Sequence, residues 1–287
     1  MLSLFGWLAR RPLWLLHGVG AVLGWATYWA SPSYRRRFND NVRQAGIEPG
    51  AARPAVAEAG RMVAELPFLW LRPAAEPIGP SLVWHGQALL RAALQSGRGV
   101  VMLTPHMGCF EVTAQAIAQD HAAEFGPLTV LFRPARKVLL REFTDASRAR
   151  HGVATAPATL AGVRQMIRAL RRGQAVGLLP DQVPPEGMGV WVPFFGKPAY
   201  TMTLAARLVQ QTGAVPLLIW GERLGGGAGY AVHVSELDEA LPTTDPAQAE
   251  SAALINRAME RLIRQCPQQY LWGYHRYKQP RSAGPAA

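Results

Sequence analysis

From Gly99 onward the chain repeats one pattern: a short apolar run, then a stretch with helical spacing. "GVVML" (99–103) precedes a helical pattern beyond Gly108, and "LTVLF" (128–132) precedes another over residues 137–150. "AGVRQMIRALRR" (161–172) leads into "AVGLL" (175–179), and "TLAARLVQQTG", "AVPLLIW" and "YAVHVS" (203–235) continue the series. A last helix is opened by "TTDPAQAE", where Asp245 suits a cap and Pro246 the first turn. Such alternation predicts an α/β fold with a mixed, largely parallel sheet flanked by helices. In open sheets of this kind ligands gather at the carboxyl ends of the strands. Polar chemistry stands at three of those ends: His106 beyond "GVVML", Arg133 beyond "LTVLF", and Asp181 beyond "AVGLL".

Residues 12–30, "PLWLLHGVGAVLGWATYWA", run without a formal charge, with Arg10 and Arg11 before them and Arg35, Arg36 and Arg37 after. At about 1.5 Å rise per residue, a helix of that length matches the thickness of a hydrocarbon core. Trp14, Trp25, Tyr28 and Trp29 equally suit a helix lying in the headgroup layer. The expectation is a membrane anchor, spanning or monotopic, over residues 1–35 with its basic flank. A single domain over 36–278 and a polar tail over 279–287 follow. The larger basic excess on the C-terminal side places the domain in the cytoplasm.

The formal charge of +11 favours anionic partners: nucleic acid, acidic headgroups or an acidic carrier protein. No RNP-like motif, zinc finger or recognition helix supports nucleic acid, so none is expected as a partner. Two cysteines, Cys109 and Cys266, without CxxC or Cys/His spacing, suggest neither a disulfide framework nor a metal site.

Within "TPHMGCFEV" (104–112) three side chains compete for chemistry. With His106 in a strand-to-helix turn and Glu111 in the first helical turns, the carboxylate can reach one imidazole nitrogen. That would fix the tautomer and support the imidazolium formed at the other nitrogen. Gly108 would let a substrate approach the backbone. Cys109 as a nucleophile is the rival reading, and a buried structural thiol is its commoner fate. No G-x-S-x-G elbow or G-x4-G-K-[ST] loop occurs, and "FFGKPAY" has proline where the hydroxyl should be. A base without a protein nucleophile points to direct attack by a substrate hydroxyl on an activated acyl group.

These residues resemble the H-x4-D/E glycerolipid acyltransferases, and among them the late acyltransferases of lipid A biosynthesis in Gram-negative bacteria. The similarity runs through "YRRRFNDNVRQAGI", "HMGCFE", "LFRP", "GVRQMIRALRRGQAVGLLPDQ", "VWVPFFGKPAYTMTLAARLVQQTGAVPLLI" and "CPQQYLWGYHRYKQP". The resemblance implies His106 as general base with Glu111 as its supporting carboxylate, and Arg133, Asp181 and Gln182 as substrate-binding residues. It implies acyl carrier protein as donor, a hydroxyl of a lipid A precursor as acceptor, and no metal or organic cofactor. It also implies a place at the cytoplasmic face of the bacterial inner membrane. "PPEG" at residues 184–187 imitates the third block of the wider family, but Asp181, not Glu186, stands at the strand end. The ending "WGYHRYK" departs from the family's His-Arg-Arg form, which bears on acceptor or chain-length preference. Two alternatives remain beside this reading: acyl transfer to another lipid, such as a lysophospholipid or amino-acid lipid, and a Cys109-dependent thioesterase. A third is a membrane-binding scaffold without activity.

Overall fold

The computed structural model describes residues 2–73, 76–132 and 152–281. In chain order the helices and strands are α1 (Leu2–Ala9), α2 (Leu13–Ala30), α3 (Pro32–Gln44), α4 (Pro49–Ala52), α5 (Ala55–Ala64), α6 (Leu66–Leu71), β1 (Leu82–His85), α7 (Gln87–Gln95), β2 (Val100–Leu103) and α8 (Phe110–Phe125). They continue as β3 (Leu128–Phe132), β4 (Val153–Pro157), α9 (Leu160–Arg171), β5 (Ala175–Leu178), β6 (Gly189–Phe194), β7 (Lys197–Met202), α10 (Leu204–Thr212), β8 (Val215–Arg223), β9 (Tyr230–Glu236) and α11 (Ala249–Gln265). The helix expected over residues 137–150 lies outside the described residues, as does Arg133.

Seven strands form one sheet in the order β1-β9-β8-β2-β5-β3-β4. Strands β8, β2, β5, β3 and β4 are parallel; β9 pairs antiparallel with β8 and parallel with β1. The mixed, largely parallel sheet is therefore as expected. Central strand β2 is buried along its whole length because helices cover both faces. Its side chains alternate between two cores: Val101 and Leu103 join Val176, Leu178 and Met166, while Val100 and Met102 join Val112, Ala175 and Leu217.

One local feature lies outside the sequence reading, and another differs from it. "VWVPFFGKPAYTM" contains a separate antiparallel hairpin, β6–β7, turned at Phe195 and Gly196 with φ of 47° and 75°. Two consecutive positive φ values are the mark of a hairpin turn that follows strand twist. Helix α11 begins at Ala249, so Pro246 lies in the preceding turn, outside the helix. The N-cap residue is Gln248, and Asp245, three residues before it, accepts the first-turn Ser251 N–H at 2.8 Å.

Helix α2 covers most of the uncharged run. No helix among the described residues is long and apolar enough to cross a membrane. One face of α2, with Leu13, Leu16, His17, Gly20 and Gly24, is buried. Its backbone lies directly on α5: a Cβ on Gly60 would sit 1.9 Å from the Gly20 carbonyl oxygen, so only glycine permits the crossing. The opposite face stays uncharged and open, with Trp14 62%, Val22 69% and Trp29 66% exposed.

Candidate active site

The parallel pairing of β2 and β5 builds the centre of the site. Leu103 is opposite Leu178, so residues three positions beyond each strand end, His106 and Asp181, emerge side by side. Asp181 Oδ1 lies 2.6 Å from His106 Nδ1, and its Oδ2 accepts the His106 backbone N–H at 2.9 Å. The carboxylate is only 2% exposed. Burial works to raise its pKa, but His106 foremost and Arg276 behind it outweigh that and hold it below the usual carboxylate range. A carboxylate on Nδ1 fixes the tautomer with a lone pair at Nε2, the form a general base requires.

Asp181 thus occupies the imidazole nitrogen that the sequence reading assigns to Glu111. The reason is geometric: Asp181 enters from the neighbouring strand end at the same level, whereas Glu111 is carried onto the first turn of α8. There its Oε2 accepts the Trp70 Nε1–H at 3.3 Å. Glu111 nevertheless faces the same cavity as His106. Gln182 is half-buried in the loop after Asp181 and does not line that cavity. Glu186 is exposed on the same loop.

The turn carrying His106 is held by its backbone. Leu271 N–H donates to the His106 carbonyl at 3.1 Å, Gly108 N–H to the Gln269 carbonyl at 2.9 Å, and Cys109 N–H to the Gly221 carbonyl at 2.8 Å. Gly108 has φ +57°, and a Cβ there would sit 2.0 Å from the Gly221 carbonyl oxygen. The space expected for a substrate at Gly108 is therefore taken by strand β8. Cys109 is buried, and burial together with the Glu65 carboxylate pushes its thiol well above the ordinary range. A thiol so placed is a poor nucleophile.

The C-terminal segment closes the back of the site. Tyr274 OH accepts the Val183 N–H at 3.0 Å, fixing the loop that presents Asp181. Arg276, 2% exposed, donates to the Tyr200 carbonyl and to Thr201 Oγ1, both at 2.7 Å. Burial and the adjacent Asp181 raise the Tyr270 pKa well above its ordinary value. The sequence reading connects the ending "WGYHRYK" only with acceptor or chain-length preference and gives Tyr270, Tyr274 and Arg276 no part in holding the Asp181 loop.

From His106 a cavity of about 300 Å³ runs between α8 and strands β2, β3 and β5, walled by Ala114, Ile117, Leu128, Val130 and Ile219. Gly177 on β5 leaves room there, since a Cβ would stand 3.3 Å from Val130 Cγ1. A histidine lining an apolar chamber suits a substrate with a long hydrocarbon portion.

A family model described as bacterial lipid A biosynthesis acyltransferase matches residues 51–279. The chain is 24% identical over 261 residues to a lipid A biosynthesis palmitoleoyltransferase of Escherichia coli K12, covering 87% of this chain and 81% of that protein. A lipid A biosynthesis acyltransferase of Shigella flexneri matches to the same extent. A lipid A biosynthesis lauroyltransferase of E. coli K12 is 32% identical over 117 residues, 40% of this chain and 38% of that protein.

Proposed function

The chain belongs to the bacterial lipid A biosynthesis acyltransferases, and from that premise we propose that it moves a fatty acyl chain from acyl carrier protein to a hydroxyl of a lipid A precursor, with His106 as general base. The observation that carries the reading is the Asp181–His106 pair beside an apolar cavity. The donor's acyl chain enters that cavity, placing its thioester carbonyl near His106. Nε2 takes the proton of the acceptor hydroxyl as its oxygen bonds to the carbonyl carbon, and the imidazolium is supported by Asp181. The oxyanion is steadied by the N-terminal end of α8, where helix amides and dipole favour negative charge, and by Arg133. Collapse breaks the C–S bond, and the leaving thiolate takes the proton from the imidazolium. The products are the ester and the carrier thiol, with His106 restored. Glu111, lining the cavity, orients the acceptor hydroxyl, and Gln182 contacts substrate from the Asp181 loop.

An acidic carrier has a matching surface. Arg164, Arg168 and Arg171 are exposed on α9, a helix without acidic residues, and Arg172 is exposed just beyond its end; none pairs with a carboxylate among the described residues. Transfer to a purified lipid A precursor, followed by mass spectrometry, tests both parts of the proposal. Product should form from the carrier-bound donor, and its kcat/KM should exceed that of the coenzyme A thioester of equal chain length. It should also fall as salt rises, because long-range attraction is screened. A preference for the coenzyme A thioester would refute the carrier; acylation only of a different lipid would refute the acceptor.

We also infer a place at the cytoplasmic face of the inner membrane, with α2 lying in the interface. Its open face is apolar, and Arg10, Arg11, Arg35 and Arg36 flank it where lipid phosphates would lie. Removing α2 outright would uncover α5, so the informative change is on the outer face. Val22→Glu with Leu23→Glu should weaken co-sedimentation with anionic vesicles at least tenfold, each residue contributing about 1.5–3 kcal/mol of apolar burial. The thermal melt should not move. Vesicle binding equal to that of the unmodified protein would rule out this face.

A further inference from the structure

Arg223, the last residue of β8, is 4% exposed and has no part in the proton transfer drawn above. Its Nε and Nη2 donate to Glu65 Oε2 and Oε1 at 2.9 and 2.5 Å, and its Nη1 donates to Glu58 Oε2 at 2.5 Å. Nη2 also donates to the Gly108 carbonyl at 3.1 Å. Its backbone exchanges two hydrogen bonds with the Gln269 side chain, each 2.9 Å, while the Gln269 carbonyl receives the Gly108 N–H. Arg223 is therefore tied twice to the glycine two residues beyond His106.

A buried ion pair adds little net stability compared with apolar residues of similar volume, so the fold alone does not require this one. What it supplies is direction. A guanidinium held in its plane by one carboxylate on two nitrogens and by a second on the third presents the other N–H of Nη2 at a fixed angle. That N–H meets a buried carbonyl in a turn where strand β8 leaves no room for a Cβ, and a buried carbonyl requires a donor. Burial pushes the Glu65 carboxyl up, but Arg223, with His17 beside it, outweighs that and holds it at about 2, so the pair stays ionised at working pH. Glu65 Oε2 further receives His17 Nε2 of α2 at 3.0 Å and the Tyr230 hydroxyl at 3.1 Å, which fix the carboxylate in turn.

We propose that Arg223, clamped by Glu65 and Glu58, is a positioning residue that holds the Gly108 carbonyl and thereby sets where His106 presents Nε2 to the cavity. The kinetic part rests on His106 as the base; the structural part does not.

Two variants separate positioning from stability. Arg223→Lys keeps the charge but loses the fork. Arg223→Met with Glu65→Gln removes both charges of the pair, leaves Glu58 its contact with Arg61, and keeps an amide for His17 and Tyr230. Thermal melts, kcat and KM for acyl transfer, and amide hydrogen exchange of segment 104–112 are measured on both. Each variant should melt within a few degrees of the unmodified protein and lose at least about tenfold in kcat. KM should change less than about twofold, and segment 104–112 should exchange at least about tenfold faster while β2 and β5 do not. A folded double variant with unaltered kcat and exchange overturns the proposal. Failure of both variants to fold also overturns it, because the pair would then be holding the fold and not the turn. If the unmodified protein shows no acyl transfer, the functional reading has failed, and the exchange measurement still decides whether Arg223 orders the turn.

Discussion

Turnover of His106→Ala is expected to fall by about a hundredfold or more, the range expected for removing a general base acting on a hydroxyl. The residue is half-buried and its backbone carbonyl and N–H keep their partners in the variant, so the thermal melt should change little. Cys109→Ala provides the contrast. Its thiol is buried and held protonated, so that variant should retain most activity, with only the modest stability loss of a smaller side chain. Both are assayed on one thioester donor and one lipid acceptor. A folded but inactive Cys109→Ala, with an acyl-enzyme trapped in the unmodified protein, would replace direct transfer by a covalent route. A fully active His106→Ala would remove the site altogether.

Asp181→Asn is expected to be nearly as damaging, with a loss of about a hundredfold to ten-thousandfold. The asparagine Oδ1 can still accept the His106 backbone N–H, so the loop should stay in place. The amide nitrogen would then face Nδ1 and force it to accept, moving the ring proton to Nε2 and leaving no lone pair toward the substrate. Glu111→Gln is the informative comparison. Because Glu111 meets the cavity and Asp181 meets the imidazole, Glu111→Gln should cost less than Asp181→Asn and should act more on the KM for acceptor. The opposite order of damage would return the orienting role to Glu111.

The comparison between Asp181 and Glu111 also marks how far a sequence reading reaches. His106 was found because a histidine directly after a buried apolar run stands at a strand end, and strand ends collect function in parallel sheets. Asp181 was found by the same rule, but its bond to His106 was not. The two are separated by 75 positions, and only the adjacency and register of β2 with β5 bring them to 2.6 Å. Glu111 was the nearer carboxylate along the chain, and nearness along the chain says little once one residue lies in a turn and the other on a helix. Arg223 was missed for a related reason: a single arginine at a strand end reads as a surface charge until Glu58 and Glu65, from α5 and its junction with α6, are packed on it.

Helix α2 shows the same division. Its length, lack of charge and aromatic content were plain in the sequence, and they announced apolar surface seeking cover. The structure decided how much is already covered, because Gly20 and Gly24 let one face dock on α5 at backbone contact while the other remains open. By itself the sequence determined the elements and the chemistry available: hydrophobic period sets secondary structure locally, and residue type sets what a group can donate, accept or remove. The tertiary structure alone decided which groups meet. Strand order, register and helix docking depend on burying every apolar face at once, which no local window of the chain encodes.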